Sequence, residues 1–118
     1  VMAEAAAGAR AAGGTVVGVL SRADRAGANP DLTIAIPTGM GDARNAIIVN
    51  AADAVIVVGG SWGTLSELAL AMRRGTVPVI TLGGWRILDR HGTPVPGPTT
   101  ADSPEHAVEL AFTAAPSA

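Results

Sequence analysis

Apolar positions in this chain come in two kinds of block, short unbroken runs and longer stretches with helical spacing. Val1 to Gly14 is alanine-rich, carries Glu4 and Arg10 as its only charges and stops at Gly13-Gly14. That composition and ending predict a helix. Thr15 to Leu20 is nearly continuous and rich in β-branched residues, which at this length predicts a buried strand. Ser21 to Asp31 reads as a loop, Leu32 to Pro37 as a short strand, and Thr38-Gly39-Met40-Gly41 as the turn that ends it. A second helix is expected from Asp42, a good N-cap, to Ala52.

Ala54 to Gly59 is the strongest strand signal, apolar on both faces as in a parallel sheet covered by helices. It runs into Gly60-Ser61-Trp62-Gly63, after which Thr64 to Arg74 returns to helical spacing and Gly75 closes the helix. Val77 to Leu82 predicts another strand, and the Gly/Pro-rich segment Gly83 to Thr100 an irregular connection or small hairpin. Ser103 and Pro104 suit the N-cap and first position of a last helix reaching about Ala114, with Ala115 to Ala118 a frayed tail. Strands alternating with helices at this spacing predict an α/β fold, a Rossmann-like three-layer parallel sheet in a single domain over residues 1 to 118.

Two segments carry candidate chemistry. In Val57 to Glu67 a buried strand meets a glycine turn and then a helix start, the place where a parallel sheet binds ligands and backbone N–H groups approach a phosphate. Its spacing differs from G-x-G-x-x-G. Thr64 and Glu67 also fit a T-x-x-E capping box, and Trp62 suits either stacking on a planar ligand or plain packing. The second segment is Thr38 to Asn45, where Arg44 falls in a first helical turn. A cation there opposes the helix dipole at a cost of about 0.3 to 1 kcal/mol. An anionic ligand or a buried partner would offset that cost; an exposed surface arginine is the alternative.

Composition narrows the chemistry. There is no cysteine, no lysine and no tyrosine among 118 residues, so thiolate catalysis, cysteine-held zinc, a pyridoxal Schiff base and a Walker A loop are all excluded. His91 and His106 stand apart with no carboxylate cluster at metal spacing, and no metal site is expected. Asp53 reads as a turn residue, and Arg73 and Arg74 as cations favoured at a helix end. A net charge of -2 with 3% aromatics argues against nucleic acid. No apolar run approaches the roughly 20 residues that cross a bilayer, so a cytoplasmic protein without a membrane partner is expected. Charged residues make up 15%, against about 25% in an ordinary domain, which predicts an apolar face buried in a homo-oligomer, a dimer or higher.

Gly39-Met40-Gly41-Asp42-Ala43-Arg44-Asn45, Ala52-Asp53-Ala54 and Gly59-Gly60-Ser61-Trp62-Gly63-Thr64-Leu65-Ser66-Glu67 together resemble the LONELY GUY-like Rossmann superfamily. The wording is most similar to the branch containing the molybdenum cofactor carrier proteins, and the resemblance weakens after Leu82. It implies a phosphate site at Gly60 to Thr64, with Thr38, Gly39 and Gly59 beside it. Arg44 and Glu67 become the catalytic pair if the protein cleaves an N-glycosidic bond of a nucleoside 5'-monophosphate.

The family proline is Gly59 here, its second glycine is Ser61 and the lysine after its arginine is Asn45, which weighs against that hydrolase. The resemblance thus implies a binding protein for a small phosphorylated planar ligand, molybdenum cofactor or a nucleotide, with no cofactor required for a reaction. A phosphoribohydrolase and an inactive structural subunit are the alternatives. The lysine decarboxylase label often given to this superfamily is excluded by the zero lysine count. In the family a β-α-β unit precedes the helix that here starts at Val1. The expectation is a fold lacking that unit, with a gap in the sheet between Thr15-Leu20 and Ala54-Gly59.

Overall fold

The computed structural model describes residues 1 to 117, which fall into two compact units, Val1 to Ile47 and Ile48 onward. Helix α1, Met2–Ala11, opens the first unit and ends at Ala12, after which Gly13 turns left-handed at φ 81. Strands β1, Val17–Leu20, and β2, Ile34–Pro37, pair in parallel with Val17 opposite Ile34 and Leu20 opposite Pro37. Period-two alternation is visible in β2, where Ile34 and Ile36 are exposed while Ala35 and Pro37 are half-buried. The loop between the strands is shaped by aspartate and asparagine side chains that accept from the backbone two residues on, at Asp24 and Asn29. After β2 the chain makes a 3-10 turn, Gly41–Arg44, and enters α2, Asn45–Ala51.

In the second unit β3, Val55–Val58, leads to α3, Trp62–Arg74. Strands β4, Val79–Leu82, and β5, Thr99–Thr100, complete a sheet of order β3-β4-β5, parallel throughout. Helix α4, Pro104–Thr113, closes the unit. Alternation along the strands sorts the core into two faces. Val57 and Val79 pack with Leu68 and Ala71 of α3 and with Val49, whereas Ile80 packs with Ala101 and with Ala107 of α4. A helix therefore covers each side of the sheet, the three-layer arrangement expected from the alternation of elements. Gly75 ends α3 in the left-handed region at φ 67, and Ser103 caps α4 by accepting from the N–H of His106.

The structure corrects several expectations. Asp42 is not an N-cap: the 3-10 turn starts one residue earlier, its cap position is Met40 with no side-chain bond, and Asp42 sits in the first turn. Nor is β3 buried on both faces, since Ile56 is 37% exposed while Val57 is only 3%. The tail is not frayed up to Ser117, whose Oγ accepts from the N–H of Val79 and donates to its carbonyl, while its own N–H donates to Val77. Ala118 lies outside the described residues. Within Gly83 to Thr100 the hairpin is a single antiparallel bridge, Leu88 opposite Pro94, and the two-residue β5 was too short to register as a pattern. The strands do not form one sheet: β1 and β2 make one and β3, β4 and β5 another. Among the described residues no helix is long and apolar enough to cross a membrane.

Leu68 is 1% exposed and sits at the centre of the core between α3 and the sheet. Leu68→Ala should lower stability by about 2 to 5 kcal/mol, the range for a buried leucine whose cavity cannot fully collapse. Urea denaturation of parent and variant measures it, with the midpoint expected to fall.

Candidate functional site

The glycine turn after β3 is built from backbone contacts that side chains would prevent. Gly59 is left-handed at φ 87, and its N–H donates to the Leu82 carbonyl, extending the β3–β4 ladder by one bond. Gly60 lies against Gly84: a Cβ on Gly60 would come within 3.1 Å of the Gly84 Cα. Gly84 itself is at φ 79, and a Cβ there would collide with the Gly59 carbonyl. Two turns at the carboxyl end of adjacent parallel strands are thus pressed together, which requires glycine on both sides.

Ser61 follows in extended conformation and caps α3, its Oγ accepting from the Thr64 N–H at 3.2 Å. The Thr64 hydroxyl turns back into the loop, 2.8 Å from the Ser61 carbonyl and 3.2 Å from that of Gly59. This overturns the T-x-x-E capping box. The helix begins at Trp62, before Thr64, because the serine left by the glycine turn already has cap geometry. Glu67 is half-buried in α3 and, among the described residues, makes no ion pair and no side-chain hydrogen bond. The N–H groups of Trp62 and Gly63, first in the helix, have no acceptor within it and are open to an anion. Trp62 is 77% exposed, so it is not packed away, and its ring lies 5.1 Å from that of Trp85 at 45°. The Trp85 Nε1–H donates to the Ser61 carbonyl at 2.8 Å, which fixes the second indole on the turn.

Thr38, Gly39 and Arg44 belong to the first unit, and Gly59 to Thr64 with Glu67 to the second. The Thr38 hydroxyl donates to the Leu20 carbonyl at 2.6 Å and accepts from the Met40 N–H. Gly39, at φ 64, donates its N–H to the Arg22 carbonyl. The turn is thereby closed onto the end of β1. Arg44 is half-buried, not an exposed surface cation, and its Nη1 donates to the Val19 carbonyl at 2.6 Å. Its Nε is buried without a partner, as is the Oδ1 of Asn45, a residue only 3% exposed. Asn45, which stands directly after the arginine, is thus a core residue of this segment.

Arg74 does not serve its own helix end. Its Nη1 lies 2.6 Å from the carbonyls of Val49 and Ala52, so it caps the last turn of α2. His106 accepts from the Asp102 N–H at Nδ1, a local role at the start of α4, and Asp53 and His91 are exposed loop residues. Among the described residues no three His, Asp or Glu side chains gather as they would around a metal.

These features define an α/β protein with a glycine turn at the carboxyl edge of a parallel sheet. The sequence profile of the SLOG cluster4 family matches residues 1 to 108, and the chain belongs to that family. It is 42% identical over 94 residues to an uncharacterized protein of Archaeoglobus fulgidus, a match covering 75% of this chain and 62% of that one. The chain therefore spans less than two thirds of the length of this curated relative. Among solved structures, the molybdenum cofactor binding protein of the phototrophic bacterium Rippkaea orientalis superposes with a TM-score of 0.78 at 36% identity. That similarity covers 92% of this chain and 68% of the other. The structural-genomics target TM1055 gives a TM-score of 0.69 at 29% identity, over 89% of this chain and 68% of its own.

Gly84→Ala forces a methyl group into the Gly59 carbonyl and should separate the two turns, abolishing the exciton signal of the Trp62–Trp85 pair in circular dichroism. Ser61→Ala removes only the cap and should cost about 0.5 to 2 kcal/mol while leaving that signal in place.

Proposed function

We propose that the protein binds a small phosphorylated ligand with a planar ring, a molybdenum cofactor-like molecule or a nucleotide, at the turn from β3 into α3. The observation that carries this reading is the turn itself: free N–H groups at Trp62 and Gly63 open beside an indole that is 77% exposed. The phosphate sits at Gly60 to Thr64, where the helix dipole and the unpaired N–H groups favour negative charge. Trp62 offers its face to the ring, and Gly59 and Ser61 shape the surrounding backbone.

The likeness to a molybdenum cofactor binding protein at 36% identity supports the same class of ligand here. The residues present fit its phosphate and its ring. Nothing in the fit asks for a metal ligand from this chain, and the ligand is cargo in this reading.

A second reading, cleavage of a nucleoside 5'-monophosphate, is favoured by one observation, the half-buried Glu67 with no partner. It would activate water at the glycosidic carbon. An assembly of two or more copies belongs to either reading and rests on the low charge content and on exposed Val17, Ile34 and Ile36. Light scattering of the purified protein should give a mass at least twice that of the chain.

Titrating molybdenum cofactor and adenosine monophosphate into the protein, followed by calorimetry, should show saturable binding to at least one. Trp62→Ala should weaken it about tenfold or more, the usual worth of an aromatic stacking platform, with little change in stability. Absence of saturable binding to either phosphorylated compound overturns the proposal. If base is released instead, Glu67→Gln should slow release by about 10² to 10⁴; unchanged release removes Glu67 from the reaction.

A further inference from the structure

The second unit holds a concavity of about 650 Å³ that lies beside the glycine turn yet is lined by other residues. One wall is the side of α3 that carries Leu68, Ala69 and Met72; the other is the strap from Gly83 to Pro98. The strap is held in shape by the Leu88–Pro94 bridge and by the Val95 N–H donating to the Ile87 carbonyl. Its volume is in the range of small-molecule sites, roughly 300 to 1,000 Å³, and such sites are mostly apolar with a few polar groups that fix orientation.

Two polar groups stand out in this apolar lining. Thr81 is the one polar residue in the strand Val79–Leu82 and is only 7% exposed. Two positions after Val79, it shares the face that packs on α3, and it lines the cavity. Among the described residues its hydroxyl makes no hydrogen bond, and unlike Arg44 Nε and Asn45 Oδ1 the oxygen is not fully buried. The second is Arg86, which lines the same space and makes no hydrogen bond or ion pair among the described residues. Arg86 is exposed, and no lining residue is acidic, so nothing in the lining neutralises its guanidinium. Trp85 also lines the space, and its N–H is already committed to the Ser61 carbonyl.

We propose that this cavity is a second small-molecule site, for a flat fused-ring heteroaromatic bearing one negative group. The ring lies among Trp85, Met72 and Leu68, a ring heteroatom accepts from the Thr81 hydroxyl, and the anion pairs with Arg86. It is separate from the phosphate reading of the glycine turn and stands without it.

Three matched probes separate the contributions: a quinoline carboxylate, the naphthalene carboxylate that lacks the ring nitrogen, and the methylquinoline that lacks the carboxylate. The chain has three methionines, Met2, Met40 and Met72, and only Met72 lines the cavity, so carbon-13 methyl NMR of the full chain reports occupancy directly. The quinoline carboxylate should shift the Met72 signal saturably and leave Met2 and Met40 in place. Arg86→Gln should weaken both carboxylates about tenfold and leave the methylquinoline unchanged, since a charge-assisted bond is lost only with the former. Thr81→Val should weaken the two quinolines several-fold and spare the naphthalene carboxylate. Because the hydroxyl has no protein partner, that variant should melt no lower than the parent.

An unmoved Met72 signal overturns the proposal. So does binding indifferent to both substitutions, or a Met72 signal that follows protein concentration instead of probe, which would mean that a second copy occupies the groove. Trp62→Ala leaves the Met72 response intact if the two sites are separate, so failure of one reading is distinguishable from failure of the other.

Discussion

Backbone pressed on backbone at Gly59, Gly60 and Gly84 is the constraint on which the candidate sites depend. Parallel strands β3 and β4 deliver two loops to the same edge of the sheet, and there the loops have no room for a Cβ. Once they meet, the rest follows locally. Ser61 emerges extended and caps α3, its carbonyl is presented to the Trp85 indole, and the two tryptophans come within ring contact. The strap that starts at Gly83 is aimed over α3 by the same contact, which creates the cavity. A single steric condition therefore positions both the start of α3 and the apolar groove next to it.

The cations play a structural part that their number does not suggest. With no lysine available, fixed side-chain charge is carried by guanidinium groups, and several are turned onto backbone carbonyls. Arg44 takes Val19, Arg74 takes Val49 and Ala52, and Arg25 takes Ala35. A planar, multi-donor group suits this because it can satisfy carbonyls left over along strands and at a helix end while its stem packs. Arg86 has no such employment among the described residues, which separates it from these three.

Much of this was legible from residue order. The α/β alternation, the left-handed Gly75, the Ser103 cap and the glycine turn after β3 follow from signals that are local in sequence. The cap of α3 is not legible locally, because T-x-x-E satisfies a local rule while the choice of Ser61 is made by a turn geometry that depends on Gly84, more than twenty positions away. Arg74 was read against its own helix for the same reason, its acceptors being carbonyls of a different helix. Trp85, Arg86 and Thr81 gave no signal at all. Each is unremarkable among its neighbours, and only the fold sets them around one space.

Unsatisfied polarity points to where stability has been given up. In the first unit Arg44 Nε and Asn45 Oδ1 are adjacent in sequence, both buried and both without a partner. Leaving a buried donor or acceptor unpaired costs about 1 to 3 kcal/mol, and a domain has only about 5 to 15 kcal/mol in total. An apolar pair of similar shape would avoid that penalty. The residues here are nonetheless a guanidinium and an amide, in the segment that resembles a family motif. The rest of the first unit has the opposite character: Thr38, Gly39 and Thr33 all find backbone or side-chain partners. Among the described residues the unpaired buried side-chain atoms are these two, just after the glycine turn that ends β2.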